Sequence, residues 1–342
     1  MKTEFEIIDN WEQIDKDKWK NFIDLHPYGN IFQSIDMFKV YLDTPKYDPY
    51  VIAVIDKNGE ILGIQVSVIQ TLYSSFLKKL TSRSIVYGGP VILNNDEFVL
   101  GTILDFYKRM MHSKALYSQF RNMKDWGKSR KIFSQNGFTY LEHLNILLNL
   151  KKGEDVLWKE MKRVRRKSIN QAYRKEVYSR KIDIANENHL KHVYALFLDV
   201  YKRINLPLHS IDFFQNSILH LKKDILCFGL FLDEELIAAR MVLCYNKRIY
   251  DWYTGSSDEY LSYRPNDVLP WEIMKWGIDH KFEVFDFGGA GQPNVPYGVR
   301  DHKMKFGGDL VNLGRFEIVH NRFLYELANF GFKMKKKLFK FQ

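Results

Sequence analysis

The chain has 342 residues, 46% of them hydrophobic and 15% aromatic, which supplies cores for two ordinary domains and excludes a disordered or low-complexity polymer. Lys and Arg number 51 against 41 Asp and Glu, a net charge of +10, which favours anionic partners without choosing among phosphates, nucleic acid and a membrane surface. The start, MKTEFEIIDN, carries charges where a leader needs an apolar run, and no stretch approaches the roughly 18 apolar residues of a membrane span, so a cytoplasmic protein is expected. In chain order, residues 4–8 read as an edge strand and 11–25 and 35–42 as amphipathic helices, the second after a Gln33-Ser34 cap. Residues 50–55 and 61–69 form a hairpin across Asp56-Lys57-Asn58-Gly59, an Asn-Gly turn of the kind that joins twisted antiparallel strands. A strand over 85–92 is interrupted by Gly88-Gly89-Pro90. A helix at 98–111, a strand near 116–120, a short helix at 129–136 and a closing strand over 140–150 complete a first unit.

The second half repeats this order. A single basic helix over 156–175 leads to a strand at 181–185, a helix at 190–204 and a hairpin of 226–231 with 236–244. A strand at 249–255 follows, then a helix at 266–280 with Asn266 or Asp267 as N-cap, and a strand that carries Asp286. The expectation is an α+β fold of two tandem units, 1–150 and 151–342, the second ending in a basic amphipathic helix. In that tail Phe323, Leu327, Phe330 and Phe339 alternate with lysines from Lys333 onward, a pattern suited to an anionic membrane surface. Cys227 and Cys244 lie in apolar strand-like runs and fit no metal or redox spacing, so both read as reduced core residues. The ten histidines show no ligand spacing and no G-x-S-x-G elbow is present, so neither a metal nor a serine nucleophile is expected.

The densest chemistry lies at 283–308, EVFDFGGAGQPNVPYGVRDHKMKFGG. Val284, Phe285 and Phe287 make a short buried strand, within which Asp286 needs a partner. Gly288-Gly289 breaks the strand, Pro293 and Pro296 stiffen the loop that follows, and a helical turn restarts near Gly298 with Arg300, Lys303 and Lys305 along it. Three cations thus sit close to a bend with unusual backbone freedom.

The order D-F-G-G, a proline-containing loop, G-V-R, then K-x-x-F-G-G and a strand resembles the signature near the C-terminus of the FemABX family. These are the non-ribosomal aminoacyl transferases that add amino acids to peptidoglycan precursors, together with their GNAT-like relatives. The matching residues are Asp286, Phe287, Gly288, Gly289, Gly298, Arg300, Lys303, Phe306, Gly307 and Gly308. Arg166, Ile169 and Ala172 are similar to an R-x-x-I-x-x-A pattern that opens the family's second unit, and Phe32-Gln33-Ser34 to its F-Q-S segment. The resemblance implies two tandem GNAT-like units with mixed sheets and flanking helices. It implies acyl transfer from aminoacyl-tRNA to an amine of a nucleotide- or lipid-linked peptidoglycan precursor, with no covalent enzyme intermediate and no cofactor beyond the donor. Catalysis would fall to Lys303, a fixed charge near the oxyanion, and to Asp286, which either accepts a proton or holds the glycine loop. Arg203, Tyr253, Arg300, Lys39, Gly288, Gly289 and Phe306 would bind substrate.

Two departures keep other readings open. Some members carry a long helical hairpin thought to touch tRNA, and the second unit has no room for one, so tRNA would need another holder. One alternative is a GNAT-like N-acyltransferase that uses acyl-CoA or an acyl carrier on a sugar or lipid amine; the glycine spacing that cradles the pyrophosphate of coenzyme A is absent from 261–267 and from 88–97, which disfavours its acyl-CoA form. A third reading is a non-catalytic polyanion-binding protein that uses the basic helix and tail on membrane or RNA.

Overall fold

The computed structural model describes residues 5–71 and 82–327. Chain contacts divide it into one unit of Met1–Glu142 with Leu313–Gln342 and another of His143–Asn312. The first contains β1 (Phe5–Ile8), α1 (Lys16–Leu25), α2 (Ile35–Asp43), β2 (Tyr47–Asp56), β3 (Ile61–Gln70), β4 (Arg83–Gly88) and β5 (Val91–Ile92). It continues through α3 (Glu97–Met111), β6 (Tyr117–Asn122), α4 (Arg130–Gln135) and β7 (Thr139–Leu141). The second contains β8 (Leu144–Asn149), α5 (Glu154–Glu160), α6 (Arg163–Tyr173), β9 (Tyr178–Ile182), α7 (Glu187–Arg203) and α8 (Ile211–Leu221). After these come β10 (Ile225–Leu232), β11 (Glu235–Tyr245), β12 (Arg248–Ser256), α9 (Pro265–Asp279), β13 (Val284–Gly289), α10 (Gly298–Met304) and β14 (Asp309–Asn312). The chain then returns to the first unit as β15 (Arg315–Val319).

Local chemistry sets several of these boundaries. Asp15 caps α1 by accepting from the backbone N–H groups of Asp17 and Lys18, so that helix starts later than its apolar pattern. Ser34 caps α2 as expected, its hydroxyl accepting from Met37 N–H at 3.1 Å. Its neighbour Gln33 is fully buried, donating to the carbonyls of Val66 and Tyr87 and accepting from Val66 N–H.

The two sheets share one plan. The first runs β1-β2-β3-β4-β6-β15-β7, with β5 on β3, and the second runs β9-β10-β11-β12-β13-β8-β14. In each, one pair is parallel, β4 with β6 and β12 with β13, and the other pairings are antiparallel. Parallel neighbours need a long crossover, and α3 and α9 supply it. The repeat inferred from element order is therefore a repeat of strand topology.

Three expectations change. The strand over 140–150 is two strands, β7 and β8, paired in different sheets and separated at Glu142-His143, which puts the division near 142 rather than 150 and brings β15 back to the first unit. The helix over 156–175 breaks at Met161 and Lys162, whose ψ angles of 137° and 139° are extended, and Lys162 N–H is instead given to the Lys305 carbonyl at 2.9 Å. Helix α8 has no counterpart among the expected elements. It buries Phe214 against Phe197 and Tyr253 and Phe213 against Trp252, although Ser210 and Asp212 stand at its start as helix-opening residues. Cys227 and Cys244 are buried and unlinked, on β10 and β11, and burial pushes the Cys244 thiol up to about 12. The basic tail from residue 328 lies outside the described residues.

Helix α7 packs so closely on β12 that a Cβ at Gly255 would stand 2.4 Å from the Leu196 carbonyl carbon and 2.6 Å from Phe197 N. Backbone cannot rotate aside as a side chain can. Gly255→Ala should therefore destabilise the protein by about 1–3 kcal/mol, the usual cost of overpacking. Gly101, inside α3, has only Ile132 Cγ2 at an ordinary 3.6 Å, so Gly101→Ala should stabilise by about 0.5–1 kcal/mol through lower backbone entropy. Denaturant midpoints of the two variants should move in opposite directions.

Candidate functional site

The candidate site grows from the parallel pair of the second sheet. Strands β12 and β13 stay in register from Arg248 opposite Val284 to Tyr250 opposite Asp286, and β12 then continues to Ser256 paired with β11 on its other side. Where the pairing stops, the chain turns at Gly288, whose φ of +70° lies in the region where a side chain is strained. Asp286, with no exposed surface, pins the turn. One carboxylate oxygen pairs with Arg248 Nη1 at 2.9 Å and the other accepts from Gly288 N–H at 2.8 Å. Burial pushes this carboxyl upward, while Arg248 and the Gly288 N–H oppose the shift. At Gly289 a Cβ would stand 2.8 Å from His143 Cε1, so a side chain there would have to displace the His143 ring.

Lys303 comes to this bend from α10. Its ammonium donates to the Phe287 carbonyl at 2.5 Å and the Gly289 carbonyl at 3.2 Å. Burial lowers its pKa below the ordinary lysine value, and the Asp251 carboxylate resists the shift. Lys303 lines a cavity of about 410 Å³ together with Arg240, Asp251, Tyr253, Phe287 and His302. Arg240 and Asp251, on neighbouring strands, form a buried ion pair of 2.7 Å. Tyr253 is 7% exposed and packs on Phe197 and Phe214, so it is both core and cavity wall. The cavity thus offers one cation, one ion pair and aromatic walls.

The other sequence candidates lie apart from that wall. Arg300 donates to the carbonyls of Ala290, Gln292 and Val295, bracing the proline loop from within. Phe306 is 1% exposed and packs on Phe287. Arg203 closes α7 and pairs with Asp258. Lys39 is half-buried on α2 of the first unit.

Sequence reasoning missed the charge that fixes α10. Arg165 of α6 is 4% exposed, and its guanidinium pairs with Asp267 of α9 and donates to the His302 carbonyl at 3.0 Å. It also lies 4.5 Å over the Phe306 ring. Its Nη2 stands 3.1 Å from His302 Nδ1; because guanidinium only donates, that contact leaves the imidazole proton on Nε2, which faces the Asn266 carbonyl at 3.4 Å. Burial, reinforced by Arg165, lowers His302 to about 4, so the ring is neutral at physiological pH. Arg264 precedes α9 in left-handed conformation, φ 57° and ψ 43°, with Pro265 at the first helical position. That corrects the expected cap: Asn266 and Asp267 lie inside the helix, and Asp267 serves Arg165. Around this helix start Arg165, Arg264, Lys305 and His302 line a second cavity of about 480 Å³. A guide in the sequence existed: arginine at the buried phase of α6, in step with Ile169 and Ala172.

Removing Arg165 leaves Asp267 buried without its cation. Arg165→Met should therefore cost about 3–5 kcal/mol of stability, and Asp267→Leu in the same chain should recover most of it. A double-mutant cycle in denaturant with coupling near zero would contradict the clamp.

A family model of the acetyltransferase (GNAT) domain matches residues 159–303, a span that holds α6, both cavities' arginines and Lys303. A lipid II:glycine glycyltransferase of Staphylococcus epidermidis is 32% identical over 110 residues, 31% of this chain and 26% of that protein, so the chain matches about a quarter of the relative's length. The crystal structure of FemX superposes with a TM-score of 0.72 over 94% of this chain and 99% of that one, at 16% identity. A tandem GNAT protein from the clavulanic acid biosynthesis pathway gives 0.58 over 93% and 99%, at 9% identity. The likeness first seen at residues 286–289 and 303–308 thus extends through the architecture: the chain has the fold of FemX and of a tandem GNAT protein, and the GNAT domain model matches within its second unit.

Proposed function

We propose that the second unit transfers an aminoacyl group to an amine, with aminoacyl-tRNA as donor and a nucleotide- or lipid-linked peptidoglycan precursor as acceptor. The observation that carries this reading is the Lys303 ammonium, held by two backbone carbonyls at the wall of the cavity where β12 and β13 part. Two of its hydrogens are engaged, which directs the third. In the reaction the acceptor amine attacks the ester carbonyl, the C–N bond forms, the C–O bond to the ribose breaks and the amine proton passes to the departing oxygen. Lys303 supplies a positive charge, fixed in advance, to the oxyanion between these events, in a partly desolvated place where charge interacts strongly.

The contacts of Asp286 favour holding the bend over moving a proton, because both carboxylate oxygens are engaged. Tyr253 and Phe287 would face the transferred group, while Gly288 and Gly289 shape the backbone behind it. Arg203 is kept as a phosphate contact of the acceptor; Arg300, spent on three carbonyls, serves as a brace. The glycyltransferase relatives, named for lipid II, support the acceptor class. No helix among the described residues is long and apolar enough to cross a membrane, and a lipid-linked acceptor would be met from the membrane's inner surface. An acyl-CoA donor is the second reading, favoured by the GNAT match; the cationic cavity at the start of α9 would suit the phosphate of either donor.

Lys303→Ala should lower transfer by about 10²–10³-fold, the usual effect of losing one oxyanion contact, while Lys305→Ala, on the other cavity, leaves the acyl-transfer step near normal. Because burial lowers the Lys303 pKa, the wild-type rate should fall on the alkaline side below the ordinary lysine value, and Lys303→Arg should remove that limb. Rate against pH for the three variants, with thermal midpoints alongside, checks the assignment. Unchanged turnover in Lys303→Ala would refute it.

A further inference from the structure

The cavity that holds Lys303 and the cavity at the start of α9 share two lining residues, Asn266 and His302. Arg165 Nη2 donates both to the His302 carbonyl at 3.0 Å and to its Nδ1 at 3.1 Å, which fixes the ring against its own backbone and leaves the imidazole hydrogen on Nε2. That hydrogen is poorly used by the protein. Its partner, the Asn266 carbonyl, stands at 3.4 Å, beyond the usual range for N–H to oxygen, and the Asp267 carboxylate, at 3.9 Å, is already paired with Arg165. The His302 side chain also keeps 40% of its surface open. Lys303, the next residue of α10, is arranged otherwise, with two hydrogens committed to backbone carbonyls and its ammonium on the wall of one of these cavities. A fixed N–H therefore lies where the two cavities meet, one residue from a fixed cation.

In the reaction proposed above, on which this inference rests, a donor with phosphate at the start of α9 and its ester carbonyl at Lys303 must cross the wall made by Asn266 and His302. The atom at the crossing is the oxygen that joins the acyl group to the rest of the donor, and its bond to carbon is the one that breaks. We infer that His302 is a second catalytic residue, whose Nε2–H donates to the departing oxygen while Lys303 serves the carbonyl oxygen. The electron pair of the C–O bond goes to the departing oxygen, the acceptor amine supplies the proton, and His302 keeps its own. Burial and Arg165 hold the ring uncharged, and a neutral imidazole polarises an oxygen by hydrogen bonding without giving up its proton.

The test compares two glycyl donors, the 3′-ester of adenosine monophosphate and the ester of nitrophenol, with a lipid-linked peptidoglycan precursor as acceptor. Nitrophenolate leaves without help, whereas a ribose oxygen does not. His302→Met should lower kcat from the ribose ester by about 10²-fold, the low end of what losing one such donor costs, and leave the nitrophenyl ester near wild type. His302→Gln, of similar size but with an amide N–H, should recover most of the loss. Lys303→Ala should slow both esters alike, since both pass through the same oxyanion. The ratio of the two rates within one variant does not depend on how much of the sample is folded, so it separates a chemical role from a merely structural one. Equal losses on both esters in His302→Met, or a loss in His302→Gln as large as in His302→Met, would overturn the assignment and leave Lys303 standing. No transfer from either ester by the wild type would refute the reaction itself, and the assignment with it.

Discussion

The second unit depends on one buried cation. Arg165 joins three elements far apart in sequence: its own helix α6, the start of α9 through Asp267, and α10 through the His302 carbonyl and the Phe306 ring. A guanidinium that is 4% exposed has lost most of its water, and only this full set of partners makes the burial tolerable. The direction of α10 follows from it. Lys303 is the next residue after His302, so the clamp that seats the His302 carbonyl also sets the point from which Lys303 reaches Phe287 and Gly289.

A second constraint comes from the sheet. Parallel strands that separate leave backbone groups without ladder partners, and these must be satisfied otherwise. Around β13 the solution is ionic: Asp286 takes the Gly288 N–H, and Lys303 takes the carbonyls of Phe287 and Gly289. Of these two charges Lys303 also lines the cavity, while Asp286 stays buried behind it. Lys303 is consequently placed by backbone more than by side chains, which suits a group meant to hold a position during charge development rather than to move.

Much of this was legible in the sequence because it is local. The Asn-Gly hairpin, the strand carrying Asp286, the glycine break and the helix bearing Lys303 are each encoded within about a dozen residues, and the order of elements exposed the two-unit plan. What stayed hidden is settled through space. The strand over 140–150 is a continuous β-like run, and nothing in its composition says that β7 and β8 serve different sheets. The break at Lys162 exists because the Lys305 carbonyl lies opposite it. Arg300 and Phe306 belong to the same motif as Lys303, yet one braces a loop and the other lies under a guanidinium, so motif membership did not separate groups facing the cavity from groups that support it. Arg165 and Asp267 fell among ordinary-looking helix charges, and only burial distinguishes them.

The most direct measurement of the central claim follows the acyl group itself. Wild-type protein is mixed with tRNA carrying a labelled amino acid and with a lipid-linked peptidoglycan precursor, and tRNA, precursor and protein are separated after quenching. The account predicts that label leaves the tRNA ester and appears on the precursor in amide linkage, with none retained on the protein. Label that stays on tRNA while the precursor is modified from acyl-CoA would contradict the donor. Label held covalently on the protein, or no transfer from either donor, would contradict direct attack by the acceptor amine in the Lys303 cavity.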